Sequence, residues 1–130
     1  MYRRMLPKIR NPVKDYAPIF PKPEFLLQFD GCSKGNPGLA GAGAVIYNYE
    51  QELWGASKFI GSKTTNNVAE YYGLIMGLEK ALELGIKNLA VEGDSLLVIK
   101  QMNGEFKVKS ENLYTLYDCA KSFEKQFESI

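Results

Sequence analysis

The chain has 130 residues, of which 45% are hydrophobic and 24% charged, the make-up of one domain with one core. Seven Phe, eight Tyr and Trp54 exclude a disordered chain, and no apolar run approaches the ~18 residues of a membrane helix. Net charge is +1, so charge alone does not point to nucleic acid.

Its distribution is uneven. Arg3, Arg4, Lys8, Arg10, Lys14 and Lys22 face Asp15 alone in residues 1–22, so a basic arm precedes a mildly acidic body. There is no histidine, which removes a His-based triad, a His-ligated metal and a His general base. Cys32 and Cys119 are too few for a disulfide scaffold and lack zinc spacing. They read as free thiols in a reducing compartment, cytoplasmic, nuclear or organellar.

Residues 1–23 hold Pro7, Pro12, Pro18, Pro21 and Pro23 and no apolar run of a signal peptide. They read as a flexible basic arm, and residues 24–130 as the folded domain. Phe25 to Asp30 reads as a largely buried strand, followed by turn chemistry from Gly31 to Gly38. Gly41 to Tyr47 and Leu53 to Ile60 form two more strands joined by a hairpin. The period then changes. From Thr65 to about Leu84 the chain reads as a helix, capped at Thr65 or Asn66 and stopped by Gly85.

Residues 68, 72, 75, 78 and 82 of that helix are apolar at helical spacing. Ala69, Gly73, Gly77 and Ala81 form a second, small stripe. Two mid-helix glycines cost about 1 kcal/mol each relative to Ala, and close packing on a sheet is the simplest offset. Leu89 to Asp94 is a fourth strand. Ser95 to Met102 suits a short helix, and Ser110 caps a last one with Leu113, Leu116, Tyr117, Ala120, Phe123 and Phe127 as its buried stripe. This is an α/β chain. An antiparallel meander comes first, and a helical crossover lets the first and fourth strands lie parallel as neighbours.

That topology places Asp30 and Asp94 at one sheet edge, and the long helix can carry Glu70 there. Carboxyl ends of strands are where such sheets bind ligands. Three carboxylates in one cluster repel: at ~5 Å and an effective dielectric of ~20, each pair costs roughly 3 kcal/mol. A divalent cation reverses that sign, and hard oxygen ligands suit Mg²⁺ or Mn²⁺. Other motifs fail. Gly41-Ala42-Gly43 precedes a strand and does not join strand to helix, so it is no dinucleotide fingerprint, and Lys34-Gly35 is no P-loop.

Three segments, in order, resemble type 1 ribonuclease H: Phe29-Asp30-Gly31-Cys32-Ser33-Lys34-Gly35-Asn36-Pro37-Gly38 with Gly41-Ala42-Gly43-Ala44, then Thr64-Thr65-Asn66-Asn67-Val68-Ala69-Glu70-Tyr71, then Glu92-Gly93-Asp94-Ser95 with Leu97-Val98-Ile99. The resemblance implies a ribonuclease H-like mixed sheet with helices packed on it. It implies an endonuclease that cuts the RNA strand of an RNA–DNA hybrid by a two-metal mechanism, with Mg²⁺ or Mn²⁺ as cofactor. Asp30, Glu70 and Asp94 would be catalytic; these three and Gly31 would hold metal. Ser33, Asn36, Thr65, Asn66, Asn67 and Ser95 would contact the hybrid, although Thr65 reads equally as a helix N-cap and Ser33 as a turn serine.

The chain departs from the family after the last helix. The family's fifth strand and fourth Asp have no counterpart before Ile130, so the expectation is a sheet lacking its fifth strand. That leaves an edge for a partner chain or a further C-terminal segment to complete. Two alternatives follow: a domain that binds hybrid or duplex nucleic acid without efficient cutting, or an accessory domain of a larger nucleic-acid-processing assembly. The basic arm would reach phosphates. No membrane partner is expected.

Overall fold

The computed structural model describes residues 9–10, 22–35 and 37–130. Five strands and three helices follow one another: β1 (Ile9–Arg10), β2 (Phe25–Lys34), β3 (Gly38–Asn48), β4 (Gln51–Thr64), α1 (Asn66–Glu83), β5 (Ala90–Gly93), α2 (Leu96–Met102) and α3 (Glu111–Glu124). The sheet order is β1-β5-β2-β3-β4. β2, β3 and β4 form the expected antiparallel meander, and β5 lies parallel to β2. No helix among the described residues is long and apolar enough to cross a membrane.

The strand β2 alternates. Leu27 and Phe29 are buried while Gln28, Asp30 and Cys32 are exposed, so one sheet face carries the core and the other carries polar groups. In register, Leu27 lies beside Ile46 of β3 and Val91 of β5, and all three are fully buried. The helix α1 covers this face. Its cap is as the sequence suggests: the Thr65 hydroxyl accepts from the Val68 amide at 3.3 Å. Its end is closed by Gly85 at φ 78°, with the Ile86 amide donating to the Ala81 carbonyl at 3.0 Å, a glycine C-terminal cap.

The small stripe meets the sheet, and of the larger apolar one only Leu78 is fully buried. Ala69, Gly73, Gly77 and Ala81 are buried together with Tyr71, Leu74 and Leu78. Tyr72 is exposed, and Ile75 and Leu82 are only partly buried against the core. A large side chain on that stripe would hold the helix off the strands. A Cβ at Gly73 would stand 2.6 Å from the Asp30 carbonyl oxygen, and one at Gly77 would stand 2.2 Å from the Leu27 side chain. The offset expected for two mid-helix glycines is thus direct helix–strand contact.

Two expectations need correction, and one is met. The β2 strand runs four residues beyond Asp30, to Lys34, because the polar segment Gly31–Lys34 continues its pairing with β3 through Leu39. The arm is not wholly outside the fold. Ile9 and Arg10 pair in parallel with Val91 and Glu92 of β5, so the sheet has a fifth strand, contributed from the N-terminal side. Residues 1–8 and 11–21 of the arm lie outside the described residues. After α3 the described residues form no further strand, only an isolated parallel bridge between Asn88 and Ser129. There the Leu89 amide donates to the Ser129 carbonyl at 3.0 Å.

Candidate active site

Asp30 is placed by β2, Asp94 by the end of β5, and Glu70 by the second turn of α1. Since Phe29 pairs with Gly93, the two aspartates occupy equivalent positions on neighbouring parallel strands. Gly31 brings the helix to them: a Cβ there would lie 2.3 Å from the Ala69 carbonyl carbon and 2.4 Å from the Glu70 nitrogen. Gly31 and Gly73 therefore admit α1 to the Asp30 backbone from two directions. The Gly31 amide also donates to Asp30 Oδ1 at 2.8 Å.

The electrostatics agree with this placement. Glu70 is 9% exposed, and burial raises its carboxyl from an ordinary 4.5 to about 8. The Asp30 carboxylate pushes the same way, the Gly31 backbone amide opposes, and Asp94 adds a smaller upward push. Glu70 Oε1 is buried and has no hydrogen-bond partner, although buried polar atoms are nearly always satisfied. Asp30 and Asp94 themselves are exposed. The three heads thus sit at different depths. Among the described residues no group of three acidic, thiol or imidazole side chains stands close enough to grip an ion. The donor set nonetheless fits a hard divalent cation: carboxylate oxygens only, one of them buried and unpaired.

The residues assigned to nucleic acid are largely tied into the fold beside these acids. The Ser33 amide donates to Asn66 Oδ1 at 2.6 Å. The Ser33 hydroxyl lies 2.7 Å from the Thr64 carbonyl and also against the Gly35 carbonyl. These contacts pin the end of β2 to the start of α1. Thr65 is the α1 cap, and Ser95 caps α2 by accepting from the Val98 amide at 3.2 Å. Asn67, in the first turn of α1, is half-buried. Asn36 lies outside the described residues. Ser33, Thr65 and Asn66 are brought together where the end of β2 meets the start of α1, three residues along β2 from Asp30, and Ser95 adjoins Asp94.

Two residues not singled out by sequence reasoning join the helices of this site. The Tyr71 hydroxyl donates to Gln101 Oε1 at 2.7 Å, and both residues are buried. Burial, with a smaller push from Tyr117, holds the Tyr71 phenol above its usual range, so it remains a donor. The available signal was a glutamine on an otherwise apolar helix face beside Val98 and Met102.

A family model described as reverse transcriptase-like matches residues 28–130. The bifunctional protein Rv2228c of Mycobacterium tuberculosis is 45% identical over 106 residues, which is 81% of this chain but only 29% of that protein. The N-terminal RNase H domain of Rv2228c, solved as a fusion with maltose binding protein, gives a TM-score of 0.77 at 45% identity, covering 80% of this chain and 76% of that one. LC11-RNase H1, solved in complex with an RNA/DNA hybrid, gives 0.74 at 35% identity, covering 80% and 78%. With the family model matching most of the chain and these domains matching over most of their length, the chain belongs to the ribonuclease H family.

Proposed function

We propose that this chain is a divalent-metal-dependent endonuclease that hydrolyses the RNA strand of RNA–DNA hybrids. The observation that carries this reading is Glu70: a buried carboxyl with an unpaired oxygen, sharing its field with Asp30 and Asp94. Asp30, Glu70 and Asp94 would hold the cations, with the Gly31 backbone beside them. Bound there, divalent ions supply a water nucleophile at neutral pH and a counter-charge for the leaving oxygen. The chain's own part is placement. The contacts of Gly31 and Gly73 fix Glu70 against Asp30, and the parallel register fixes Asp94 beside Asp30. The Ser33–Thr65–Asn66 cluster offers polar groups to a strand lying across the carboxylates, where 2′-hydroxyls distinguish RNA from DNA.

A relative solved on an RNA/DNA hybrid supports the substrate class. The test is cleavage of an end-labelled hybrid in Mg²⁺ and, separately, in Mn²⁺, with duplex DNA as control. Cutting confined to the RNA strand of the hybrid supports the reading. A second reading is a domain that binds hybrid and cuts poorly or not at all. It is favoured by the spread of the three acids among the described residues. Salt-sensitive hybrid binding without products in either metal would establish it.

A further inference from the structure

We propose that the buried Tyr71–Gln101 hydrogen bond is a positioning device that sets Glu70 relative to Asp94. It rests on the metal-site reading above. Tyr71 follows Glu70 directly on α1. Gln101 lies on α2, whose capping residue Ser95 follows Asp94 directly. The bond therefore ties α1, which carries Glu70, to α2, the helix that follows directly on Asp94 and its neighbour Ser95. It is short, at 2.7 Å, and its partners are 0% and 3% exposed.

Both helices are held at their starts. Capping by Thr65 fixes the first turn of α1, and capping by Ser95 fixes the first turn of α2. The Gln101 amide continues to the Lys107 carbonyl, at a long 3.5 Å. A bond between two capped helices leaves little freedom to slide, and rotation of α1 about its axis would move Tyr71 and Glu70 together. A core needs no such polar pair for burial alone. Phe and Met would fill the same space, and replacing both partners of a buried hydrogen bond by apolar groups of like shape is close to neutral for stability.

That near-neutrality supplies the test. Wild type, Tyr71→Phe, Gln101→Met and the double variant are compared for melting temperature and for Mn²⁺ affinity, the latter from the free-ion electron paramagnetic resonance signal. The single variants should melt lower, because each leaves a buried polar partner unpaired. The double variant should recover much of that loss. If the pair positions the carboxylates, all three variants should bind Mn²⁺ about tenfold more weakly, the scale typical of lost outer support around a metal site, and the double variant should not recover. Mn²⁺ affinity that is unchanged, or that returns together with the melting temperature, overturns the proposal. So does a wild type that binds no Mn²⁺. Hybrid cleavage is read in parallel. A wild type that binds Mn²⁺ but leaves the hybrid intact refutes the nuclease reading, while the four affinities still decide the role of the pair.

Discussion

At Glu70 the fold holds one carboxyl where its charged form is disfavoured. The folded carboxyl titrates near 8 against an ordinary 4.5, so between those values the folded state binds more protons than the unfolded one. Stability is therefore fully present below about pH 4.5 and falls as pH rises towards 8, by an amount on the order of a few kcal/mol. Glu70→Gln removes this dependence. Thermal unfolding from pH 4 to 9 should show the variant matching wild type at the acid end and exceeding it at pH 8.5. Added Mg²⁺ should raise the melting temperature of wild type at pH 8 more than that of the variant. A wild-type profile flat from pH 4.5 to 8 would contradict the burial of this charge. That the three acids share an edge was legible from their positions on a strand, a helix and a strand. The depth of Glu70 was not, because it depends on how closely α1 approaches β2.

The α1–β2 contact is the element that makes the site. Gly73 faces backbone, with the Asp30 and Gly43 carbonyl oxygens 2.6 and 2.9 Å from a would-be Cβ, whereas Gly77 faces the Leu27 side chain. Backbone cannot yield as a side-chain tip does. Gly73→Ala should destabilise by about 1–3 kcal/mol, the usual range for overpacking, and should weaken metal binding by displacing Glu70. Gly77→Ala should cost less, since Leu27 can shift and alanine gains about 1 kcal/mol of helix propensity. Urea unfolding of the two variants checks the order. The sequence showed that two mid-helix glycines required compensation, and the small stripe 69, 73, 77, 81 named the contacting face. It did not show that the larger apolar stripe would turn partly outward. Both stripes have helical period, and only the sheet decides which one fits.

For the whole molecule, the meander, the crossover and the parallel β2–β5 pair follow from where turn residues and capping residues fall. The strand β1 does not. Two residues in a proline-rich basic stretch carry no periodicity, and their pairing partner lies some 80 residues along the chain. The open side of β5 is thus partly covered by a segment that composition assigns to an arm. A chain beginning at Lys22 should expose Val91 and Glu92 backbone groups on that side, and exposed strand edges invite pairing with other chains. Sedimentation at increasing concentration should show more self-association for the shortened chain than for the full one; equal behaviour would make β1 dispensable to the edge. Whether Asp30, Glu70 and Asp94 form a divalent-metal nuclease site is decided by one comparison: cleavage of an end-labelled RNA–DNA hybrid in Mg²⁺ and in Mn²⁺ by wild type and by folded Asp30→Asn. Wild type should release RNA-strand products and the variant none. Equal cutting by both, or none by wild type in either metal, would contradict that assignment.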